Sequence, residues 1–265
     1  MSHPPKCIDE PGVSRAWARV LISMIDSRVK EISPLLVSIT GFDANGNSPE
    51  DPMLRAELDS LLRNKGKHDN ETVAFTIFPQ EIWELATPDR HLFYKLALSA
   101  FPEFQDMNRR ANGRGLYWER LIGFGAGEKY DGNQLEFILD SYLSARAEGR
   151  SVRRSLLQAA TFDPDRDHNP NPRLHFPCLQ QVSFVPTKAG LVTNAFYATQ
   201  QLFYKAYGNF VGLGRLGAFM AREMKMPLAR LNVYVGVEKL EGITKADAGL
   251  EQVIERAREC LASPA

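Results

Sequence analysis

The sequence has little cysteine, no excess of either charge and no long apolar run, and each absence excludes a class of protein. Its 265 residues include three cysteines, Cys7, Cys178 and Cys260, an odd number too widely spaced for a disulfide framework or a CxxC metal site. Lysine plus arginine equals aspartate plus glutamate at 32 each, so no overall field attracts nucleic acid or an anionic membrane. No run approaches the length of a membrane span. We expect a soluble, cytoplasmic protein without nucleic-acid or membrane partners.

Several catalytic and metal-binding signatures are also missing. No serine lies in a GxSxG elbow. The glycine-rich segment Gly123–Gly127 is not followed by a Lys-Ser pair, and the GxGxxG spacing of Gly212–Gly217 falls inside an apolar run of helical period, where close helix packing explains it better. His168 lies among aspartates in the loop-like segment 162–172, but HExxH and calcium-loop spacings are absent. We therefore predict no metal site.

Hydrophobic periodicity predicts interleaved strands and helices in one domain. The predicted strands are 35–40, 72–78, 182–185, 191–197 and 231–237. The predicted helices are 14–25, 53–62, 80–85, 91–99, 104–109, 135–147, 202–224 and 246–261. Because these elements lack the regular βαβ rhythm of a nucleotide-binding sheet, we expect a single α/β (α+β) domain over residues 1–265. Its sheet is expected to be mixed, mainly antiparallel and flanked by helices, with residues 1–33 as an N-terminal helical extension.

Cys178 is the residue around which the functional interpretation is built. Pro177 fixes its own φ and favours an extended conformation at Phe176, so Cys178 is predicted at the start of a strand. A thiol ahead of a hairpin and a long apolar helix is typical of a nucleophile on a rigid floor. The alternative is a small buried hydrophobe, which is what most free cysteines are.

The order of motifs resembles the thymidylate synthase superfamily, which includes the pyrimidine nucleotide hydroxymethylases. The shared features are an arginine loop, Gly-x-Tyr-x-x-Arg-Leu at 115–121, Ser-x-Arg-Arg at 151–154, Pro-Cys at 177–178, a Leu…Tyr hairpin at 191–197 and an asparagine on a buried helix at 209. The resemblance covers residues 63–237, and no gap is needed between the cysteine and the asparagine. It implies a thymidylate-synthase-like fold, a homodimer and the cofactor 5,10-methylenetetrahydrofolate.

The resemblance also implies roles for residues on the base side of a site. Cys178 matches the nucleophile that adds to C6 of a pyrimidine, after which C5 attacks the methylene group of the folate. Asn209 matches the amide that reads the O4/N3 edge, and because an amide both donates and accepts, it favours a uracil-type base. Tyr117 matches a tyrosine near the cysteine, and Thr199 and Gln181 are assigned to substrate binding.

Phosphate and proton transfer are assigned to a second group of residues. Arg153 and Arg154 match paired arginines that cross the dimer interface to the phosphate of the partner's nucleotide, and Arg63 matches a mobile-loop arginine that also holds phosphate. Glu81 is a candidate for proton transfer, and Trp83 beside it is assigned to the folate. Without the family register, solvated surface arginines and a core tyrosine would be the simpler interpretation.

The chain also departs from the family pattern at the substrate end. Ala198 stands where the family has an arginine that binds phosphate and lies near the nucleophile, and Leu179 stands where histidine is usual. Gln201, assigned to the folate, replaces an aspartate, and Lys239 and Glu241 replace a His-x-Tyr pair that contacts ribose. We therefore expect hydroxymethylation, slightly favoured over methylation, at C5 of a pyrimidine nucleotide or related ring. The alternatives are the same chemistry on a non-nucleotide ring and a non-catalytic binding scaffold.

Overall fold

Eight strands form one open, mixed sheet in the computed structural model, which describes residues 2–107, 109–113, 115–124, 129–168, 177–244 and 246–263. The strands are β1 Ser2–His3, β2 Lys6–Pro11, β3 Glu31–Ile32, β4 Leu35–Thr40, β5 Gln158–Ala160, β6 Leu179–Pro186, β7 Leu191–Gln201 and β8 Leu228–Lys239. The helices are α1 Val13–Asp26, α2 Pro52–Asn64, α3 Asn70–Phe75, α4 Gln80–Ala86, α5 Arg90–Met107, α6 Arg109–Asn112, α7 Tyr117–Ile122, α8 Gln134–Ala147, α9 Pro164–Asp167, α10 Tyr207–Glu223 and α11 Leu250–Ala262. Short 3-10 turns lie at Lys129–Gly132 and Arg154–Leu156, and a π-helical turn at Leu202–Ala206 leads into α10.

The centre of the sheet is the parallel pair β7 and β8. Their register runs from Leu191 opposite Leu228 to Gln201 opposite Lys239. Parallel neighbours need a crossover connection, and the π-helical turn with α10 supplies it. On the far side of β7, β6 and then β5 are antiparallel neighbours, and on the far side of β8, β3 and β4 lie end to end and antiparallel to it.

The two faces of the sheet differ in what covers them. Inward residues such as Val233, Val235 and Tyr197 have no exposed surface, because α1 and α10 lie over this face. The indole of Trp17 on α1 donates to the carbonyl oxygen of Leu202 at 2.9 Å, which joins α1 to the crossover. Leu36, Phe196 and Tyr234, which alternate outward on β4, β7 and β8, remain exposed. The structure is thus one α+β domain with helices over the inner face of its sheet.

One expectation about the sheet needs correction. Residues 6–11 form β2, which pairs with β4 in parallel, so the N-terminal segment belongs to the sheet rather than forming a helical extension. Among the described strands, four pairings are antiparallel and three are parallel, so the sheet is mixed with a small antiparallel majority. These features depend on which distant segments of the chain pair, and hydrophobic periodicity alone does not reveal the pairing.

The predicted strand at 72–78 is wrong, because most of this segment is helical. The carboxylate of Asp69 accepts the Thr72 backbone N–H at 2.8 Å and caps α3. Val73, Ala74 and Ile77 are buried, a spacing that suits one helical face as well as the β-branched composition suits a strand. Packing against α10 decides between the two, since tertiary contacts override the propensity of short segments.

The other predicted elements are present, with shifted ends. The segments 91–99 and 104–109 lie in α5 and α6, and α5 continues through Pro102. The Gly212–Gly217 motif lies wholly within α10, as its apolar period predicts. No helix in the described ranges is both long and apolar enough to span a bilayer.

The close approach of α3 to α10 predicts that Gly212 tolerates no side chain. A Cβ at this position would lie 2.7 Å from the carbonyl oxygen of Ala74, so Gly212→Ala should lower the free energy of unfolding by about 1–3 kcal/mol. Gly214 is a matched control on the same helix, because its Cβ would first meet Phe42 at 3.4 Å. Gly214→Ala should be neutral, or stabilising by up to about 1 kcal/mol through helix propensity. Urea unfolding followed by circular dichroism measures both, and equal stabilities would refute this packing.

Candidate active site

A cavity of about 290 Å³ lies where the C-terminal ends of β7 and β8 meet the start of β6. Residues predicted from separate motifs line it together: Tyr117, Cys178, Thr199, Gln201 and Asn209. The remaining lining residues are Val73, Thr76, Gln200, Lys205, Lys239 and Glu241. The volume is close to the lower end of the range for small-molecule sites. The cavity therefore has the size and the polar groups of a small-ligand site.

Cys178 is fixed by its backbone immediately before β6. Its N–H donates to the phenol oxygen of Tyr117 at 3.2 Å, and its carbonyl oxygen accepts the N–H of Ala198 on β7 at 3.0 Å. The side chain is half-buried in the cavity wall. Burial raises the pKa of the Cys178 thiol, and the charge of Lys205 lowers it in part. A thiolate at neutral pH thus depends on the cation beside it.

Tyr117 holds the start of β6 through its phenol oxygen. The oxygen accepts the N–H groups of Cys178 and Leu179, at 3.2 and 3.4 Å. Burial, together with the neighbouring Cys178, raises the pKa of Tyr117 above its usual range. The phenol is therefore neutral at physiological pH and keeps its own proton, which it can donate into the cavity.

The helix that carries Tyr117 is tied to the Cys178 strand by a buried ion pair. Arg120 donates to the two carboxylate oxygens of Asp167 at 2.7 and 2.8 Å and to the carbonyl oxygen of Thr161 at 2.7 Å. The Thr161 hydroxyl in turn donates to the carbonyl oxygen of Leu179. Burial raises the pKa of Asp167, but the hydrogen bonds from Arg120 outweigh it, and the pKa lies below its usual range. A bidentate pair of this kind fixes both partners in one geometry.

The same contacts explain the aspartates around His168. Asp167 is committed to Arg120, and Asp163 caps α9 by accepting the Asp165 N–H. The imidazole of His168 lies edge-on to Phe162. Across the described residues, no group of three or more potential metal ligands lies together. The acidic residues here stabilise a turn, and residues 169–172 of the segment lie outside the described ranges.

Asn209 enters the cavity from α10. Its side chain is only 4% exposed, and its amide has no hydrogen-bond partner among the described residues. Close contact of α3 with Gly208 and Gly212 of α10 places Val73 beside it in the wall. A buried amide without a partner is costly unless a ligand satisfies it. Asn209 is therefore available to recognise a polar edge of a ligand.

The rim of the cavity is formed by the last residues of β7 and the chain after β8. Gln201 donates from its amide to Glu241 at 3.2 Å, and Lys239 lies 4.0 Å from the same carboxylate. Thr199 uses its hydroxyl to donate to the carbonyl oxygen of Val237 at 3.2 Å. Glu241 is the only carboxyl group among the described residues that line the cavity. It is a better-placed candidate for proton transfer than Glu81.

Glu81 and Trp83 lie outside this cavity. Glu81 is exposed on α4. The Trp83 ring is buried in an aromatic cluster with Phe93 and Phe219, and the Arg222 guanidinium lies 5.3 Å from its centroid. Their assignment to proton transfer and folate binding came from proximity in sequence to a family pattern. α4 instead packs against α5, and neither residue lines the cavity.

The arginines and Gln181 are also outside the cavity of this chain. Arg63 is exposed in the last turn of α2, and Arg153 and Arg154 are exposed at the 3-10 turn before β5. The Gln181 amide donates to Gln158 across the β5–β6 pair. A bulge between Leu179 and Gln181 shifts the register of β6 at this point. The four residues do not meet the nucleophile within one chain.

Two buried polar residues adjoin the cavity wall without partners. Gln200 and Glu238 are opposite each other in the β7–β8 register and are 2% and 0% exposed. No described residue hydrogen-bonds to either side chain. Burial raises the pKa of Glu238 well above its usual range. Its carboxyl group is therefore neutral at physiological pH, since an ionised carboxylate there would lack solvation and a counter-ion.

Neither a protein-family model nor a curated protein matches this chain. The thymidylate synthase resemblance therefore depends on the motifs and on the convergence of their residues in one cavity.

Sequence reasoning missed Lys205 as a site residue. It occupies the π-helical turn and lines the cavity four residues before Asn209. Residues four apart lie on one face of a helix. The spacing between Lys205 and Asn209 was therefore the one sequence feature that pointed to Lys205 as a site residue. π-Helical turns are frequent at functional sites, but their presence is not encoded in a recognisable local pattern.

Proposed function

We propose that this chain is a cysteine-dependent one-carbon transferase that acts on C5 of a pyrimidine nucleotide or a related electron-rich ring. One observation carries the proposal. Tyr117, Cys178, Thr199, Gln201 and Asn209 come from four separate parts of the chain, and they line a single cavity. The resemblance predicts this group as one site, and a chance similarity of isolated motifs gives no reason for its members to converge.

The reaction begins at Cys178. Its sulfur adds to C6 of the ring, the C5–C6 double bond opens, and the electrons pass through C5 and C4 to the carbonyl oxygen at C4. Asn209 matches the base-reading amide of the resemblance and lines the cavity, so it donates to that oxygen as the charge develops and accepts from N3–H. Tyr117 keeps the backbone before β6 in place during the addition. C5 then carries the nucleophilic character that one-carbon transfer needs.

Methylenetetrahydrofolate, when bound, supplies the carbon. Gln201 and Glu241 fit a pterin in chemical terms, since a carboxylate and an amide suit its amino and amide groups. Trp83 does not support this assignment, because it lies outside the cavity. Glu241 is also the carboxyl placed to receive the C5 proton after transfer. Methylation and hydroxymethylation differ only after this step and both stay within the proposal.

The phosphate end of the ligand requires a second copy of the chain. Arg153 and Arg154 are exposed and outside the cavity of their own chain, as arginines that serve a partner's site would be. The outward face of the sheet offers an interface: Leu36, Phe196 and Tyr234 are 37%, 40% and 42% exposed. The Phe196 and Tyr234 rings lie 5.4 Å apart, which makes a contiguous apolar patch. We therefore include a homodimer in the proposal.

A second candidate function is the same chemistry on a ring without phosphate. It is favoured by the absence of arginine from the described cavity lining, where the cations are Lys205 and Lys239. An ammonium is a point charge that binds a carboxylate, a carbonyl oxygen or a phosphate, so these lysines do not require a phosphate on the ligand. The planar fork of an arginine, by contrast, matches the paired oxygens of a phosphate or a carboxylate. A binding scaffold without turnover is the remaining alternative.

Exchange of the ring C5 hydrogen for deuterium, without folate, tests the proposed chemistry. Mass spectrometry of dUMP, UMP, dCMP and CMP incubated with the protein should show exchange in at least one uracil nucleotide, because Cys178 addition makes C5 basic. Cys178→Ala should lower the rate by at least about 10³-fold. Cys7→Ala is the matched control, since Cys7 is exposed on β2, and it should retain the parent rate. No exchange in the whole panel by a folded dimer would reject the nucleotide substrate.

Sedimentation velocity tests the dimer separately. At micromolar concentration the chain should sediment as a dimer, and the double variant Phe196→Glu, Tyr234→Glu should sediment as a monomer, because two buried unpaired carboxylates are costly. Leu85→Glu is the control, as Leu85 is 79% exposed on α4, away from the sheet. A parent chain that is monomeric at this concentration would contradict the interface and the shared phosphate site.

A further inference from the structure

Lys205 is the residue of the cavity that neither the motifs nor the proposed reaction uses. It lies in the π-helical turn at Leu202–Ala206, on the same helical face as Asn209 and in the wall that also contains Cys178. Its surface is exposed, but the exposure is to a concave cavity in which protein surrounds the ammonium on several sides. It is thus close to both the nucleophile and the amide that reads the ring.

Lys205 and Cys178 line the same cavity, and no direct hydrogen bond joins their functional groups. Among the described residues, no hydrogen bond or salt bridge engages the Lys205 ammonium or the Cys178 sulfur. Lys239, the other cation in the lining, lies 4.0 Å from Glu241 and is therefore partly neutralised. The position from which the family arginine would act is Ala198. Lys205 is the cation left to stabilise a thiolate here.

We infer that Lys205 replaces the missing arginine: its ammonium stabilises first the thiolate of Cys178 and afterwards the ring oxyanion. In the first step the S–H bond breaks and the proton passes to solvent water. In the second the S–C6 bond forms, the C5–C6 π bond opens, and the negative charge leaves sulfur for the oxygen at C4 beside Asn209. The same ammonium stays paired with the charge in both steps, so no second cation is needed. The second step rests on the proposed function, whereas the first does not.

The charges around the two groups agree with this pairing. Burial raises the pKa of the Cys178 thiol, and Lys205 lowers it. Burial and the nearby Lys67 lower the pKa of Lys205, and Cys178 raises it. Lys67 itself lies over the Tyr204 ring at 4.9 Å. The Cys178 thiolate and the Lys205 ammonium therefore stabilise each other.

The other ionisable groups that face the pair do not substitute for Lys205. From α7, Tyr117 is neutral because its pKa is raised. From the end of β8, Lys239 and Glu241 form a pair of opposite charges at 4.0 Å. No ionisable side chain reaches the cavity from α3, whose contribution is Val73. The electrostatic balance at the sulfur therefore depends on Lys205.

The pH profile of Cys178 alkylation by iodoacetamide tests the first step. Peptide-resolved mass spectrometry follows Cys178 in the parent and the variants side by side. Lys205→Met should move the alkylation midpoint of Cys178 up by about 0.5–1 pH unit, at the lower end of the range for a neighbouring charge because solvent reaches the ammonium. Below the parent midpoint this is a rate about 3- to 10-fold lower. Lys205→Arg keeps the charge and should restore the parent midpoint.

Lys188→Met is the control, since Lys188 is exposed in the β6–β7 turn, and it should leave the midpoint unchanged. An unchanged midpoint in Lys205→Met, with the fold retained by circular dichroism, would overturn the inference. The second step is tested by dividing the C5 exchange rate of each protein by its Cys178 alkylation rate at the same neutral pH, which removes the difference in thiolate. This ratio should still be about 10-fold or more lower in Lys205→Met, because the oxyanion loses its counter-ion. An equal ratio in the two proteins would restrict Lys205 to the thiolate and refute the oxyanion role.

The alkylation and exchange measurements test the Lys205–Cys178 pair and the pyrimidine substrate independently. Alkylation involves neither pyrimidine nor folate, so a shifted midpoint without C5 exchange would keep the Lys205–Cys178 pair and reject the pyrimidine substrate. Exchange without a shifted midpoint would keep the proposed function and reject Lys205 as the activating cation.

Discussion

The parallel pairing of β7 with β8 is the constraint on which the site depends. Two parallel neighbours cannot be joined by a tight turn, so the chain must leave the end of β7, cross the sheet as a helix and return to the start of β8. The residues that begin this crossover, including Lys205 and Asn209, are therefore held above the C-terminal ends of both strands. Cys178 arrives at the same place because β6 is antiparallel to β7 and begins where β7 ends. The cavity follows from the topology.

Close packing then decides how well the crossover is positioned. α10 approaches α3 through Gly208 and Gly212, where a methyl group would overlap backbone or side-chain atoms of α3. On its other side, the indole of Trp17 bonds the carbonyl oxygen of Leu202 and holds the π-helical turn. A site built on contacts of this kind changes little when a ligand enters, since packed interiors deform in discrete steps and not continuously.

Sequence reasoning succeeded where the burial of one face of a strand or helix produces a regular hydrophobic pattern in the sequence. The alternation in β6 and β7 and the helical period of α10 are consequences of one buried face, and they placed Cys178 at a strand start and Asn209 on a buried helix. It failed at α3, where β-branched residues fit a strand equally well and only the Asp69 cap and contact with α10 choose the helix. It also failed at Glu81 and Trp83, which are near the predicted pattern in sequence but separated from the cavity by the path of the chain. Lys205 was missed, because its spacing from Asn209 is a weak signal until the cavity beside both residues is known.

The charge distribution of the site differs from that expected from the resemblance. An arginine beside Cys178 would hold its charge at every accessible pH, whereas burial lowers the pKa of Lys205. The position that the resemblance gives to an arginine is Ala198 on β7, and Lys205 in the crossover is a cation that lines the cavity with Cys178 and Asn209.

The central claim is that Cys178 forms a covalent bond with C6 of a pyrimidine, and trapping that bond tests it most directly. In a nucleotide with fluorine at C5, the proton whose loss completes the reaction is absent, so the adduct should persist. Incubation with 5-fluoro-dUMP and methylenetetrahydrofolate, followed by intact-mass and peptide analysis, should show one nucleotide per chain on the peptide that contains Cys178, and none in Cys178→Ala. The absence of any adduct, in a folded protein whose Cys178 is readily alkylated, would contradict the account.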